Sequence, residues 1–129
     1  VGSSSLTPVE QNIVLLAVSI ENKCDYCAAA HSAISKMGGV PDATVEAIRA
    51  GRPLEDSKLQ ALRSFTQDVT ATRGRPSQDA LHRFYAHGYT QQSALEVVLA
   101  VAMKTLSNYT NHLAETPLDP QFRPFAWTP

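Results

Sequence analysis

The chain has 129 residues, 43% of them hydrophobic, so we expect residues 1–129 to form a single domain with a modest core. Its 11 basic and 12 acidic side chains give a formal net charge of −1, which predicts no nucleic acid or anionic membrane as partner. The longest strongly apolar run, 13–20, is too short to span a bilayer and follows no basic secretion signal, which predicts a cytoplasmic protein. Because the chain begins at Val1 and not at methionine, an upstream helix could be missing.

The first predicted helix covers about residues 8–21. Thr7 can cap it, Pro8 suits its first position, and Glu10 completes a T-x-x-E capping box. Its apolar residues recur at spacings of three and four, so we expect one buried face. That face consists of Val9, Ile13, Val14, Leu16, Ala17 and Ile20.

Four further helices follow between glycine and proline breaks. They cover about 25–37, 42–50, 55–73 and 78–87. The second helix begins after a break at Asn22 and Lys23, and Ser77 can cap the fifth helix.

Thr90 precedes the longest predicted helix, 91–114, which is apolar around much of its circumference and is therefore expected to be central. After Pro117, a tail with three aromatic residues is expected to dock on a neighbouring surface, such as another subunit. No alternating strand pattern is present. The sequence predicts an all-α fold, a single-domain bundle of about six helices.

The only two cysteines, Cys24 and Cys27, lie three residues apart, and His31 follows four residues later. If this segment is helical, the three side chains fall within an arc of roughly 60°. Two close thiols at a helix start suit dithiol redox chemistry, because helix N-terminal amides stabilise a thiolate and the spacing allows a short disulfide. His31 could accept the proton of Cys27 or hold the thiolate as an ion pair.

Other interpretations of the cysteine pair are zinc binding, haem attachment and inert packing. Zinc normally needs four protein ligands, and only scattered histidines could complete the set. Haem attachment needs histidine directly after the second cysteine, where the chain has Ala28. Inert buried cysteines remain an alternative.

The segment from Leu6 to Ser32, with its core A-V-S-I-E-N-K-C-D-Y-C-A-A-A-H at 17–31, resembles the alkylhydroperoxidase D-like members of the carboxymuconolactone decarboxylase superfamily. The G-G-V-P at 38–41 and the N-Y-T-N-H at 108–112, followed by T-P-L-D at 116–119, extend the resemblance over nearly the whole chain.

The resemblance implies a helical trimer or hexamer with thiol peroxidase activity. Cys27 would attack the peroxide, Cys24 would resolve the sulfenic acid as a disulfide, and His31 would transfer protons. An external dithiol would then reduce the disulfide. No cofactor and no metal are expected.

The chain departs from the family pattern at Asn12, where the proton relay usually has a glutamate. An amide cannot shuttle a proton, although it can orient a water or an imidazole. Glu21 could approach the motif from the turn, and the Tyr26 hydroxyl could donate to a peroxide oxygen. Lys23 could favour the neighbouring thiolate, and His112 could face the site or a subunit boundary.

Three other functions remain open. They are general disulfide reduction, a redox-sensing or metal-binding oligomer without turnover, and lactone decarboxylation. The cysteine pair argues against the decarboxylase, because that chemistry does not depend on two thiols.

Overall fold

The computed structural model describes residues 4–129, which contain six α-helices, one 3-10 helix and no strand. The predicted all-α fold of about six helices is confirmed. The helices are α1 (Pro8–Glu21), α2 (Asp25–Met37), α3 (Asp42–Ala50), α4 (Ser57–Ala71), α5 (Gln78–Ala86), α6 (Gln91–Ala114) and a 3-10 tail helix (Pro120–Phe125).

The start of α1 has the predicted capping box. Thr7 Oγ1 accepts the Glu10 amide at 3.1 Å, and Glu10 Oε1 accepts the Thr7 amide at 2.9 Å. The second carboxylate oxygen of Glu10 accepts the Tyr89 hydroxyl at 2.5 Å. This buried carboxylate therefore caps the start of α1 and holds the segment before α6 against that helix.

Helix α4 is shorter than the predicted 55–73 at both ends. Asp56 caps it by accepting the amides of Lys58 and Leu59, so the helix begins at Ser57. At the other end, Arg73 and Gly74 have positive φ angles of 58° and 86°, which a helix cannot continue through. The predicted bounds of α5 differ by one residue, and those of the other helices agree with the structure.

The central helix is α1 and not α6. Its side chains enter two hydrophobic clusters, one shared with α4, α5 and α6 and the other with α3. Ile13, Val14 and Leu16 are buried, as the spacing of apolar residues predicts for α1. The two clusters together fix α1 at the middle of the bundle, which positions the turn that leads into α2.

Helix α6 lies at the surface, so its predicted central position is wrong. Val97 is buried against the core, but large apolar side chains on the opposite face are exposed. This exposed face, the α6 apolar face, consists of Leu95, Val98, Leu99, Met103, Leu106, Tyr109 and Leu113. A helix that is apolar around much of its circumference needs a packing surface on each side. The rest of this chain covers one side of α6 and leaves the other exposed.

The tail docks on α2 and α3 of its own chain. Phe122 packs edge-on against Tyr26, with ring centroids 6.1 Å apart. Arg49 at the end of α3 donates to the carbonyls of Phe125 and Ala126, at 2.7 and 2.9 Å, and its own carbonyl accepts the Trp127 indole at 3.0 Å. The predicted docking of the aromatic tail therefore takes place within the chain.

Among the described residues, no helix combines the length and the hydropathy that crossing a bilayer requires.

Candidate functional site

Cys24 occupies the N-cap position of α2, after a turn in which Lys23 has a positive φ of 56°. Its extended backbone turns the side chain toward the helix start, where Cys24 Sγ accepts the backbone amide of Cys27 at 3.3 Å. Both cysteines are free thiols, and they are 0% and 2% exposed. The helix-start amide therefore stabilises the first sulfur of the motif and not the second.

The sulfur of Cys27 faces polar side chains of α6. Asn111 Nδ2 donates to Cys27 Sγ at 3.2 Å and to the Ser107 carbonyl at 2.9 Å, which fixes the amide in place. The Ser107 hydroxyl lies 3.8 Å from the same sulfur. Lys104 Nζ donates to that hydroxyl at 3.4 Å, and the Lys104 side chain is buried.

A second set of polar contacts holds the α1–α2 turn against α6. Asn22 Nδ2 donates to Asn108 Oδ1 at 3.0 Å and to Thr105 Oγ1 at 3.2 Å. Asn108 Nδ2 in turn donates to Ser19 Oγ at 3.4 Å. Ser19 and Asn22, which precede the cysteines in the A-V-S-I-E-N segment, therefore hold the motif in register with the α6 residues around Cys27.

The two thiols have opposite pKa shifts. Burial, followed by hydrogen bonding with Cys27, raises the pKa of Cys24 to about 11. Burial also acts to raise the pKa of Cys27, but the polar surroundings formed by Cys24 and the α6 side chains and the positive charge of Lys104 outweigh it, so the pKa of Cys27 lies below the ordinary thiol value. The proton of the pair is therefore held by Cys24, and Cys27 is the thiol that ionises first.

His31 lies on α2 one turn after Cys27, but no hydrogen bond joins the two within residues 4–129. Its Nδ1 is buried without a partner in the same part of the chain. Burial and the nearby charge of Lys104 lower the pKa of His31 to about 4. The imidazole is therefore neutral at pH 7, so it can accept a proton but does not form a stable ion pair with a thiolate.

Three of the other candidate residues make no hydrogen bond to either sulfur within residues 4–129. The Asn12 amide packs against Gly38 at the far end of α2, so closely that a Cβ at Gly38 would come within 2.6 Å of Nδ2. Glu21 lines a cavity of about 380 Å³ beside α4 and α5. Tyr26 donates to Asp119 at 2.8 Å, which raises the pKa of its phenol and attaches the tail.

Lys23 and His112 meet at the turn before the motif. His112 Nε2 lies 3.3 Å from the Lys23 carbonyl, and both side chains are exposed. Within residues 4–129, no three or more His, Cys, Asp or Glu side chains form a group that could hold a metal ion.

The residues that sequence reasoning missed are Lys104, Ser107, Asn108 and Asn111 on α6. Their spacing of three, one and three residues places them on one face of an otherwise apolar helix. That polar stripe was the signal available in the sequence, but it indicated only a polar face and not its partner.

Comparison with known proteins supports the resemblance. The model of the carboxymuconolactone decarboxylase family matches residues 1–66, which include α1, α2 and the cysteine pair. No curated protein matches the chain.

Among solved structures, the fold is similar to that of an uncharacterized peroxidase-related protein from Silicibacter sp. TM1040. The TM-score is 0.81 at 18% sequence identity, over 95% of this chain. The chain spans 65% of the length of that protein. The family match over half of the sequence and the shared all-α fold agree, and the chain belongs to the carboxymuconolactone decarboxylase family.

Proposed function

We propose that this chain is a thiol-dependent peroxidase in which Cys27 attacks the peroxide, Cys24 resolves the oxidised sulfur and His31 transfers a proton. The observation that carries the proposal is the unequal contacts of the two free thiols. Cys27 Sγ faces Asn111 Nδ2 and Ser107 Oγ of α6 at 3.2 and 3.8 Å, whereas Cys24 Sγ accepts the Cys27 amide. The pKa shifts agree with these contacts, since the pKa is lowered at Cys27 and raised to about 11 at Cys24. A nucleophile must be a thiolate, whereas a resolving thiol has to retain its proton until the first step is complete.

In the first step, the Cys27 thiolate attacks one oxygen of the hydroperoxide R–O–O–H. An S–O bond forms, the O–O bond breaks, and the sulfur is oxidised by two electrons to a sulfenic acid. The leaving alkoxide takes up a proton and departs as the alcohol. Asn111 donates to the sulfur that undergoes this change, which holds its lone pairs in a fixed direction.

In the second step, Cys24 attacks the Cys27 sulfur, so that an S–S bond forms and the S–O bond breaks. Water leaves with the proton that Cys24 gives up. The pKa of Cys24 is raised and that of His31 is lowered, so the imidazole does not hold this proton as an imidazolium. We infer that His31 relays the proton from Cys24 to the leaving oxygen as the S–O bond breaks. An external dithiol then reduces the disulfide by thiol exchange.

We also propose that the chain is a homo-oligomer joined through the α6 apolar face. Between Glu96 and Glu115 the helix has one charged side chain, Lys104, and it is buried. A face of this size without charge suits a second copy of the same face better than water or a charged partner.

The experiment that tests the peroxidase measures consumption of hydroperoxide with an excess of a dithiol donor. It compares the parent with Cys27→Ser and Cys24→Ser. Because only 2% of Cys27 is exposed, the assay includes hydrogen peroxide, the smallest hydroperoxide, beside an alkyl hydroperoxide. Cys27→Ser is expected to lose turnover, because a serine hydroxyl does not ionise at neutral pH and cannot replace the thiolate as nucleophile.

In a parallel reaction without the dithiol donor, Cys24→Ser is expected to stop after one equivalent of peroxide and to retain a sulfenic acid on Cys27, detected by intact mass. Turnover that is equal in the parent and in Cys27→Ser would refute the mechanism. Oxidation found on Cys24 in Cys27→Ser, with Cys27 unreactive in the other variant, would reverse the two roles.

A further inference from the structure

Lys104 is buried, with 9% of the residue exposed, in the middle of α6. Moving an ammonium group out of water is unfavourable unless an anion or several hydrogen bonds compensate it. The ion pairs of residues 4–129 join Lys36 and Arg49 to Glu46, and Arg83 to Asp79. None of them includes Lys104, so the described part of the chain gives its charge no carboxylate partner.

The hydrogen bond of the Lys104 ammonium connects it to Cys27 through Ser107. Lys104 Nζ donates to Ser107 Oγ at 3.4 Å, and Ser107 Oγ lies 3.8 Å from Cys27 Sγ. Asn111 Nδ2 also donates to the Cys27 sulfur, at 3.2 Å. Cys27 can ionise to a thiolate, and the side chains around its sulfur are hydrogen-bond donors that would stabilise that negative charge.

We propose that Lys104 is a positioning residue whose buried ammonium is the counter-charge of the Cys27 thiolate, with Ser107 between them. The inference rests on the proposed function in one respect, since it assigns the charge that keeps the nucleophile of the peroxidase ionised. It also explains why the site does not need an imidazolium, because α6 supplies the positive charge that an ion-paired histidine would otherwise provide.

Two pKa shifts agree with this placement. The charge of Lys104 acts to lower the pKa of Cys27. It also lowers the pKa of His31, although burial is the larger cause of that shift. One cation that favours a thiolate and disfavours an imidazolium must lie near both groups.

Other charged or titratable groups lie on α2 and on the elements packed against it, and several of them have partners elsewhere. The titratable groups of α2 and its N-cap, besides Cys27, are Cys24, Asp25, Tyr26, His31 and Lys36. On the elements packed against α2 the groups besides Lys104 are Glu10 and Glu21 on α1, Asp42, Glu46 and Arg49 on α3, Glu96, Tyr109 and His112 on α6, and Asp119 and Arg123 in the tail. Of these, Glu10 binds Tyr89, Glu46 pairs with Lys36 and Asp119 binds Tyr26.

The test titrates the Cys27 thiolate directly, without peroxide. In a Cys24→Ser background, one thiol remains, and its ionisation is followed by thiolate absorbance at 240 nm and by the rate of alkylation with iodoacetamide as pH is varied. The variants are Lys104→Gln, Lys104→Met and Lys104→Arg. Lys23→Gln is the matched control, because it removes an exposed charge next to the motif.

We expect Lys104→Gln to raise the pKa of Cys27 by about one unit, which lowers the alkylation rate at neutral pH about tenfold. Lys104→Arg is expected to restore most of the rate, and Lys23→Gln is expected to leave it unchanged, since an exposed charge is screened. Methionine has a similar length to lysine and no charge. Lys104→Met therefore gives the same comparison of the Cys27 pKa with and without the charge, if circular dichroism shows that Lys104→Gln does not fold.

An unshifted titration in the folded Gln or Met variant would overturn the role of Lys104, whatever the peroxide turnover. Conversely, a parent that fails to consume peroxide but has a Lys104-dependent Cys27 pKa would contradict the peroxidase and support the counter-charge. The two failures are therefore distinguishable.

Discussion

Two identical side chains, Cys24 and Cys27, have different surroundings although three residues separate them. The sulfur of Cys24 faces a backbone amide of its own helix and is fully buried. The sulfur of Cys27 faces an amide, a hydroxyl and a nearby ammonium from α6. The motif spacing brings the thiols together, and the neighbouring helix makes them unequal.

His31 makes the stability of the fold depend on pH. Its pKa is about 4 in the folded protein and ordinarily 6.5, so between those values the unfolded chain binds a proton that the folded chain does not. The contribution of the neutral His31 to the free energy of unfolding is fully present above pH 6.5 and is lost as pH falls toward 4. A shift of this size corresponds to about 3 kcal/mol of unfolding free energy.

We therefore expect the free energy of unfolding, measured by urea denaturation, to fall more steeply between pH 7 and pH 4 in the parent than in His31→Gln. His82→Gln is the control, because His82 is exposed on α5. Equal slopes in the parent and in His31→Gln would contradict the neutral, buried state of the imidazole.

At the scale of the helices, the sequence was informative where a local signal decides the outcome. The capping box of Thr7 and Glu10 and the glycine-marked ends gave the bounds of α1, α2 and α3, because these contacts lie within a few residues of one another. The cysteine motif could be recognised for the same reason. The position of α6 and its contacts with Cys27 depend on packing between distant segments, which a spacing pattern does not specify.

Helix α3 illustrates how one side chain can hold another element. The Arg49 guanidinium donates to two tail carbonyls and to Ser32 Oγ at 2.8 Å on α2. We expect Arg49→Ala to lower the free energy of unfolding by about 2 kcal/mol, because hydrogen bonds from a charged donor to the tail and to Ser32 are lost. We also expect faster proteolysis after residue 117.

Arg83→Ala is the matched control for that variant. Arg83 also lies in the last turn of a nine-residue helix, but its pair with Asp79 is exposed. An exposed ion pair at this spacing contributes about 0.5 kcal/mol or less. If the two variants lose equal stability and their tails are cleaved at equal rates, Arg49 does not hold the tail.

For the whole molecule, the α6 apolar face exposes large apolar side chains along most of one helix. Leu106 is 73% exposed and Leu113 is 89% exposed, although both are large apolar side chains. We expect the parent to have a mass that is a multiple of 14.0 kDa in light scattering after gel filtration, as the trimer or hexamer implied by the resemblance requires.

Leu106→Glu is expected to shift the protein toward the monomer, because a carboxylate cannot be buried between two copies without a partner. Met37→Glu is the control, since Met37 is 87% exposed at the end of α2, away from this face. A monomeric parent, or an unchanged mass in Leu106→Glu, would contradict the proposed interface.

The contact between Asn111 and the Cys27 sulfur joins residues 84 positions apart, and that of Ser107 joins residues 80 positions apart. A growing chain releases its N-terminal part first, so Cys27 leaves the ribosome long before α6 exists. Until then its thiol has neither the amide nor the charge that favours the thiolate, and oxidants react with thiolates. The order of synthesis therefore delays the lowering of the Cys27 pKa until α6 has been made and has packed against α2.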